Sequence, residues 1–239
     1  MIFGLIIAAG NQTRFDSDIP KSLVPLKNKT CLDYTINNMN IICDKVYVVC
    51  SKDKVKYFKS YNYIPIKSGL GCGDAVLKAL EKLKFNEKDM CFIQWGDSIV
   101  EFNVYLQLKD NSKKINEITI AAKHENNPYV RLIPNTENKT VKVEFSKFGE
   151  VSGPGLHDLS VFYGNANDIL SRCKEFKDKF FKEDHYEHKH GNEFNFLDIM
   201  NDTDIHADVL MYKYARSWSF NTKDEYEELL KKVDEWEHF

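Results

Sequence analysis

No two cysteines of this chain stand at Cys-x-x-Cys spacing: the six fall at positions 31, 43, 50, 72, 91 and 173. Scattered thiols of this kind read as reduced cysteines in a cytoplasmic protein rather than as a disulfide framework. Long apolar runs are also missing. The opening MIFGLIIAAG is far short of the ~20 residues that cross a bilayer, and it lacks the basic leader of an export signal. No membrane association is expected. Nor is there an excess of positive charge. With 33 Lys and Arg against 36 Asp and Glu, the formal net charge of -3 gives no general pull towards nucleic acid or anionic lipid. Two nucleotide-binding signatures are absent. No G-x-x-x-x-G-K-[ST] occurs, which excludes a P-loop kinase. The first loop holds a single glycine, which argues against a dinucleotide-dependent oxidoreductase. No serine–histidine–acid order stands out, and no thiol is placed for nucleophilic work.

What is present fits one large α/β domain. The chain has 239 residues and 43% are hydrophobic, enough for a sizeable core. Residues 5–9, LIIAA, read as a strand buried on both faces. Buried strands are also read at 45–50, 90–95 and 118–122, a short edge strand with proline at 63–66, and a final strand at 209–214. Helices at 31–39, 74–83 and 165–173 lie between them, and 99–115 reads as helical. Strand and helix in alternation predict a parallel sheet with crossover helices. Residues 129–133 and 139–145 alternate around a polar turn and read as a hairpin.

Three stretches carry chemistry. After the first strand, Gly10 opens a polar loop, NQTRFDSDIPKS. Backbone N–H groups in such a loop can hold phosphate oxygens, and Arg14 and Lys21 can neutralise them. Residues 69–73 hold Gly69, Gly71 and Gly73 just ahead of an amphipathic helix, with Asp74 in its first turn. This pattern suits close approach of the backbone to a planar ligand, although a flexible loop before an ordinary helix has the same composition. Asp97 follows the strand at 90–95. A carboxylate there lies beside the ligand crevice of an α/β sheet and is a hard-oxygen ligand for Mg²⁺, or else a turn residue or helix cap.

Ala8, Ala9 and Gly10, then Asn11, Gln12, Thr13 and Arg14, and after a short insert Pro20, Lys21 and Ser22, resemble the opening signature of a known enzyme family. These are the nucleotidyltransferases of the sugar-phosphate and phosphocholine cytidylyltransferase type. Gln12 departs from the glycine often found there. The resemblance implies a three-layer, Rossmann-like α/β sandwich of the nucleotide-diphospho-sugar transferase type. Its sheet is mostly parallel, with a small inserted antiparallel lobe. Residues 1–239 would form a single domain, with 124–192 as the acceptor-side lobe.

The resemblance also implies the site. Residues 8–13 with Gly71, Gly73 and Asp74 would bind the nucleotide, with Arg14 and Lys21 catalytic. Asp97 would hold Mg²⁺. Asn221, in the segment RSWSFNTKDEY, would be the second metal contact; Thr222 and Glu225 there also read as a capping box. On the acceptor side, Lys142 or Lys147 would meet the incoming phosphate, and Glu193 or Asp198 would touch the substrate. Glu144, His157 and Asp158 are further acceptor-side candidates, the last two placed just before a strand and facing the pocket. His185, His188 and His190 invite a zinc reading. No cysteine or fourth ligand lies near them in sequence, so the charged run 174–193 reads as a solvated helix or loop.

The reaction implied is transfer of a nucleoside monophosphate from an NTP, with CTP favoured, to a small phosphorylated acceptor. The enzyme would be a monomer or small homo-oligomer that binds no nucleic acid. Two alternatives stay open, a sugar-1-phosphate nucleotidyltransferase using UTP, CTP or GTP and a non-catalytic nucleotide-binding relative; a glycosyltransferase of related architecture is disfavoured, because the strand ends in Gly-Asp-Ser without a D-x-D-like motif and Pro-Lys-Ser-Leu has no place in that scheme. The non-catalytic relative should have lost Arg14, Lys21 or Asp97, and all three are present.

Overall fold

The computed structural model describes residues 1–10, 15, 17, 19–67, 69–111 and 117–232. β1 (Ile2–Ala8) leads through a 3₁₀ turn at Lys21–Leu23 to a small hairpin, β2 (Pro25–Leu26) and β3 (Lys29–Thr30), then α1 (Cys31–Ile42). β4 (Lys45–Ser51), a 3₁₀ turn at Lys52–Tyr57 and β5 (Tyr63–Ile66) precede α2 (Cys72–Lys82) and β6 (Met90–Trp95). Next come β7 (Ser98–Val100), α3 (Phe102–Asn111), β8 (Glu117–Glu125), β9 (Val130–Asn135), β10 (Thr140–Phe145) and β11 (Gly155–Asn165). α4 (Ala166–Phe180), β12 (Phe181–Lys182), β13 (His185–Tyr186), α5 (Ile199–Asp202), β14 (His206–Met211), β15 (Ser217–Ser219) and α6 (Lys223–Lys232) follow.

β1 is apolar along almost its whole length because it sits inside the sheet. It pairs in parallel with β4 on one side and β6 on the other. β5 closes that half as an edge strand, parallel to β4, and Pro65 is tolerated there because an edge has one unpaired side. On the other side of β6 lies β11, antiparallel to it through Val161–Asn165 registers. β11 also pairs with β8, and at Leu156 with β9; β8 pairs in parallel with β14. The nine strands form one mixed sheet, so the antiparallel strands within residues 124–192 extend the central sheet.

Helices cover both faces, as the α/β reading requires. α2 and α4 pack on one face over a core that includes Leu5, Ile7, Ile93, Phe162 and Phe196. α1 and α3 pack on the other over Ile6, Val48, Phe92 and Val161. A third, smaller cluster joins Phe15, Leu26, Ile99, Phe220 and Leu229, and so ties α6 to the loop after β1. α1 starts where its sequence signals it. Thr30 Oγ1 accepts from Asp33 N–H, and the Asp33 carboxylate accepts from Thr30 N–H, a reciprocal box. Asn165 caps α4 in the same spirit, its side-chain oxygen accepting from Asn167 and Asp168 N–H. Among the described residues no helix is long and apolar enough to cross a membrane.

Two readings change. Residues 99 and 100, the start of the 99–115 stretch, are strand rather than helix, because β7 pairs with β15 across the sequence. The run 174–193 is not a solvated stretch throughout: the side chains of His188 and His190 are each only 2% exposed. Phe145 and Phe148, from outside the run, and Phe176 and Phe180, from within it, surround the two rings, and this aromatic packing outweighs the local charge.

Candidate active site

β1 and β6 are parallel neighbours, so their carboxyl ends open on the same side of the sheet, where α/β folds bind ligands. A cleft of about 440 Å³ lies there, with Ala8, Ala9, Gly10, Lys21, Gly71, Asp97, Glu193 and Asn221 among its walls. Lys21 reaches it from the 3₁₀ turn that Pro20 initiates; Leu23 N–H donates to Pro20 O at 2.8 Å. Asp97 sits in the β6–β7 turn, which a buried amide holds shut. Gln94 Nε2 donates to Ser98 O at 2.9 Å, and Ser98 Oγ donates to Trp95 O at 2.9 Å. The Gln94 side-chain carbonyl in turn accepts from Tyr105 OH, so this polar residue at 0% exposure is satisfied at both ends.

Asn221 comes from far along the chain. The β7–β15 ladder sets Ser219 opposite Ser98, which places the residues after β15 beside the Asp97 turn. The start of α6 then fixes Asn221. The Glu225 carboxylate accepts from the backbone N–H groups of Asn221 and Thr222, and Thr222 Oγ1 accepts from Glu225 N–H at 3.3 Å. The capping box and the site residue are therefore one piece of structure.

Lys21 joins these parts. Its Nζ donates to Asp97 Oδ2 at 2.6 Å and to Asn221 Oδ1 at 3.2 Å, and lies 5.1 Å from the centre of the Phe220 ring. The Lys21 side chain is 10% exposed and that of Asp97 34%. A carboxylate oxygen and an amide oxygen from separate elements thus converge on one cationic centre. Both are the hard-oxygen type that Mg²⁺ takes, so the donor set fits that ion.

The glycines of the second stretch have a different neighbour from the one expected. Gly71 has φ +93°, and a Cβ built there would collide with Phe194 O. A Cβ at Gly73 would lie 2.6 Å from the Phe194 ring. Gly73 N–H donates to Phe194 O and Phe194 N–H to Leu70 O. The close approach is thus made by the chain's own residue 194, although Gly71 also borders the cleft. Asp74 borders the cleft too, but its carboxylate accepts from Tyr186 OH at 3.0 Å and pairs with Lys78 at 2.5 Å.

On the acceptor side only Glu193 lines the cleft. Lys142 and Glu144 pair with each other at 2.9 Å on β10, and Glu144 is also bound by Arg131. Those cations hold the Glu144 carboxyl below the usual carboxylate range. His157 and Asp158 lie within β11 rather than ahead of it. His157 Nδ1 sits 3.1 Å from Val130 O. Asp158 is buried, accepts from Ser160 N–H at 2.9 Å at the bulge of β11, and has its carboxyl pushed up by that burial. These four side chains serve the sheet. Asn11, Gln12, Thr13 and Arg14 lie outside the described residues.

Other residues line the cleft without a role read from the sequence, among them Ser22, Lys67, Trp95 and Asn195. Ser22 is 3% exposed and its Oγ has no hydrogen-bond partner among the described residues. Its position next to Lys21 was the available signal. Lys67 follows the edge strand β5, and nothing in its local pattern marks it.

Residues 4–149, more than half of the chain, match the family model described as the MobA-like NTP transferase domain. The bifunctional protein GlmU of Buchnera aphidicola subsp. Schizaphis graminum is 27% identical over 192 residues, 76% of this chain and 41% of that protein. The chain thus spans about two fifths of that curated relative. Among solved structures, HddC from Yersinia pseudotuberculosis, complexed with GMP-PN, is similar with a TM-score of 0.69 and 17% identity, over 98% of this chain and all of that one. The inositol-1-phosphate CTP transferase from T. maritima is similar with a TM-score of 0.70 and 14% identity, over 98% and 96%. At such identities the two structures speak for the nucleotide-diphospho-sugar transferase fold. With the family model covering more than half of the chain, β1 and the turn after β6 among it, the chain belongs to the MobA-like NTP transferase domain family.

Proposed function

We propose that this protein is a nucleotidyltransferase that moves the nucleoside monophosphate of an NTP onto a small phosphorylated acceptor and releases pyrophosphate. The observation that carries this reading is the convergence of Lys21, Asp97 and Asn221 at the mouth of the cleft. A phosphate oxygen of the acceptor attacks the α-phosphorus, and the bond to the β-phosphate oxygen breaks. The attacking group is already an anion, so no general base is needed. Alignment and charge neutralisation supply the rate. Asp97 and Asn221 would hold Mg²⁺, which supplies positive charge at the phosphates. Lys21 stabilises the α-phosphoryl group in flight, and Arg14 neutralises the leaving pyrophosphate.

The acceptor is of the sugar-phosphate type. This follows the family; His157 and Asp158, held within the sheet, offer the acceptor no contact. CTP is the favoured donor. The test is pyrophosphate release with Mg²⁺, each of the four NTPs and a panel of sugar, polyol and amine phosphates. Turnover with CTP and a sugar or polyol phosphate is the expected result. Turnover with another NTP overturns the base alone. Absence of turnover together with absence of nucleotide binding overturns the activity.

A further inference from the structure

Apart from the cleft, the described chain holds one buried cluster of metal-ligating groups: His188, His190 and Asp198, whose nearest ligand atoms lie within 4.8 Å of one another. The three side chains are 2%, 2% and 0% exposed. Around Asp198, His190 Nδ1 lies 2.6 Å from Oδ1 and His188 Nδ1 3.6 Å from Oδ2. The opposite ring nitrogens point away, each to its own carboxylate. His190 Nε2 meets Glu150 Oε1 at 3.0 Å, and His188 Nε2 meets Asp202 Oδ2 at 3.1 Å. Two imidazoles thus turn their Nδ1 atoms towards a shared carboxylate, while their Nε2 atoms are held by outer acids. That is the usual second shell of a protein-bound transition metal. Asp198 Oδ2 is buried without a hydrogen-bond partner, which is costly unless something else satisfies it. His188 Nδ1 takes only a 3.3 Å contact from His190 N–H.

We propose that His188 Nδ1, His190 Nδ1 and the Asp198 carboxylate bind one zinc-class divalent ion, with Glu150 and Asp202 as its outer shell. Ligands about 2.0–2.1 Å from a tetrahedral zinc stand roughly 3.4 Å apart. The 3.6 Å pair is already at that spacing, and the 2.6 Å pair opens by about an ångström. Two nitrogens and one carboxylate leave a fourth position for water. The site pins residues 188–202 to Glu150, beyond the end of β10, and that segment carries Glu193 and Asn195 into the cleft. The site lies apart from the Asp97–Asn221 pair.

Untagged protein, stripped with a chelator, is titrated with Co²⁺ and Zn²⁺. We expect one Co²⁺ per chain, with the intense visible absorption of a tetrahedral site, displaced by one Zn²⁺ and accompanied by a rise in Tm. Asp97→Asn leaves that stoichiometry intact. Glu150→Gln and Asp202→Asn each weaken the metal by roughly 10–100-fold. Wild-type protein that gains neither absorption nor thermal stability with either ion overturns the site. It would leave a metal-free network with His190 bridging Asp198 and Glu150. Undiminished binding by both His190→Gln and Asp198→Asn also overturns it.

Discussion

Lys21 and Asp97 are 76 residues apart in the chain and 2.6 Å apart in space, joined as an ion pair on the wall of the cleft. The pair brings the loop after β1 to the turn after β6, and it is the point on which the proposed chemistry turns.

Lys21→Ala should lower kcat by roughly 10²–10³, the cost of one lost electrostatic donor, with a much smaller change in KM for the NTP. Stability should hardly move, because Asp97 is 34% exposed and regains water once the lysine is gone. Steady-state pyrophosphate release and a thermal melt check both halves. Near-normal kcat would remove Lys21 from the reaction.

Asp97→Ala should abolish turnover at all Mg²⁺ concentrations, whereas Asp97→Glu should keep some activity with a raised Mg²⁺ requirement. The measurement is initial rate against free Mg²⁺. An Asp97→Ala enzyme with the wild-type Mg²⁺ response would show that the carboxylate does not contact the ion.

Gly73→Ala tests the contact with Phe194. In an unobstructed helix this change gains about 0.5–1 kcal/mol. Here the new Cβ would stand 2.6 Å from a ring that is itself fully buried, so overpacking of roughly 1–3 kcal/mol wins and the variant melts earlier. In a Phe194→Ala background the obstruction is gone, and the same change should become neutral or stabilising. A double-mutant cycle read by urea denaturation measures the coupling. Additive effects would mean that the two residues do not meet.

Asp158→Asn should raise Tm at pH 7 and leave KM for the acceptor unchanged. Burial lifts the Asp158 carboxyl above its unfolded value. The folded state therefore binds the proton more tightly, and stability falls as pH rises from the unfolded pKa through the folded one. Above that window the loss is constant. Asparagine keeps an oxygen for Ser160 N–H and removes the buried charge. Melts between pH 4 and 8 should show a flatter profile for the variant. A fall in Tm at pH 7, or a large rise in acceptor KM, would contradict this assignment.

Local signals carried much of the fold. β1, β4 and β6 are apolar runs because they lie inside a covered sheet. Thr30 and Asp33 announce α1, and Pro65 marks the edge. Asp97 was legible because a strand end is a fixed place in an α/β sheet. Other parts depend on pairings that no local pattern holds. β7 and β15 are three residues each, too short for a period, and only their partnership makes them strands. His188 and His190 stand in a charged run, and the groups that bury them are contributed by residues 145–150, 176–180 and 198–202. His157 and Asp158 looked exposed to a pocket because the strand that contains them begins earlier, at Gly155, than its apolar stretch.

The β7–β15 ladder also sets an order in time. A ribosome completes Lys21 and Asp97 long before it adds Ser217–Ser219, and Asn221 follows later still. A nascent chain can already close the parallel half of its sheet while its second oxygen donor has yet to be made. Until residues 217–219 emerge and zip against residues 98–100, Lys21 of the growing polypeptide has Asp97 but not yet Asn221 as a partner.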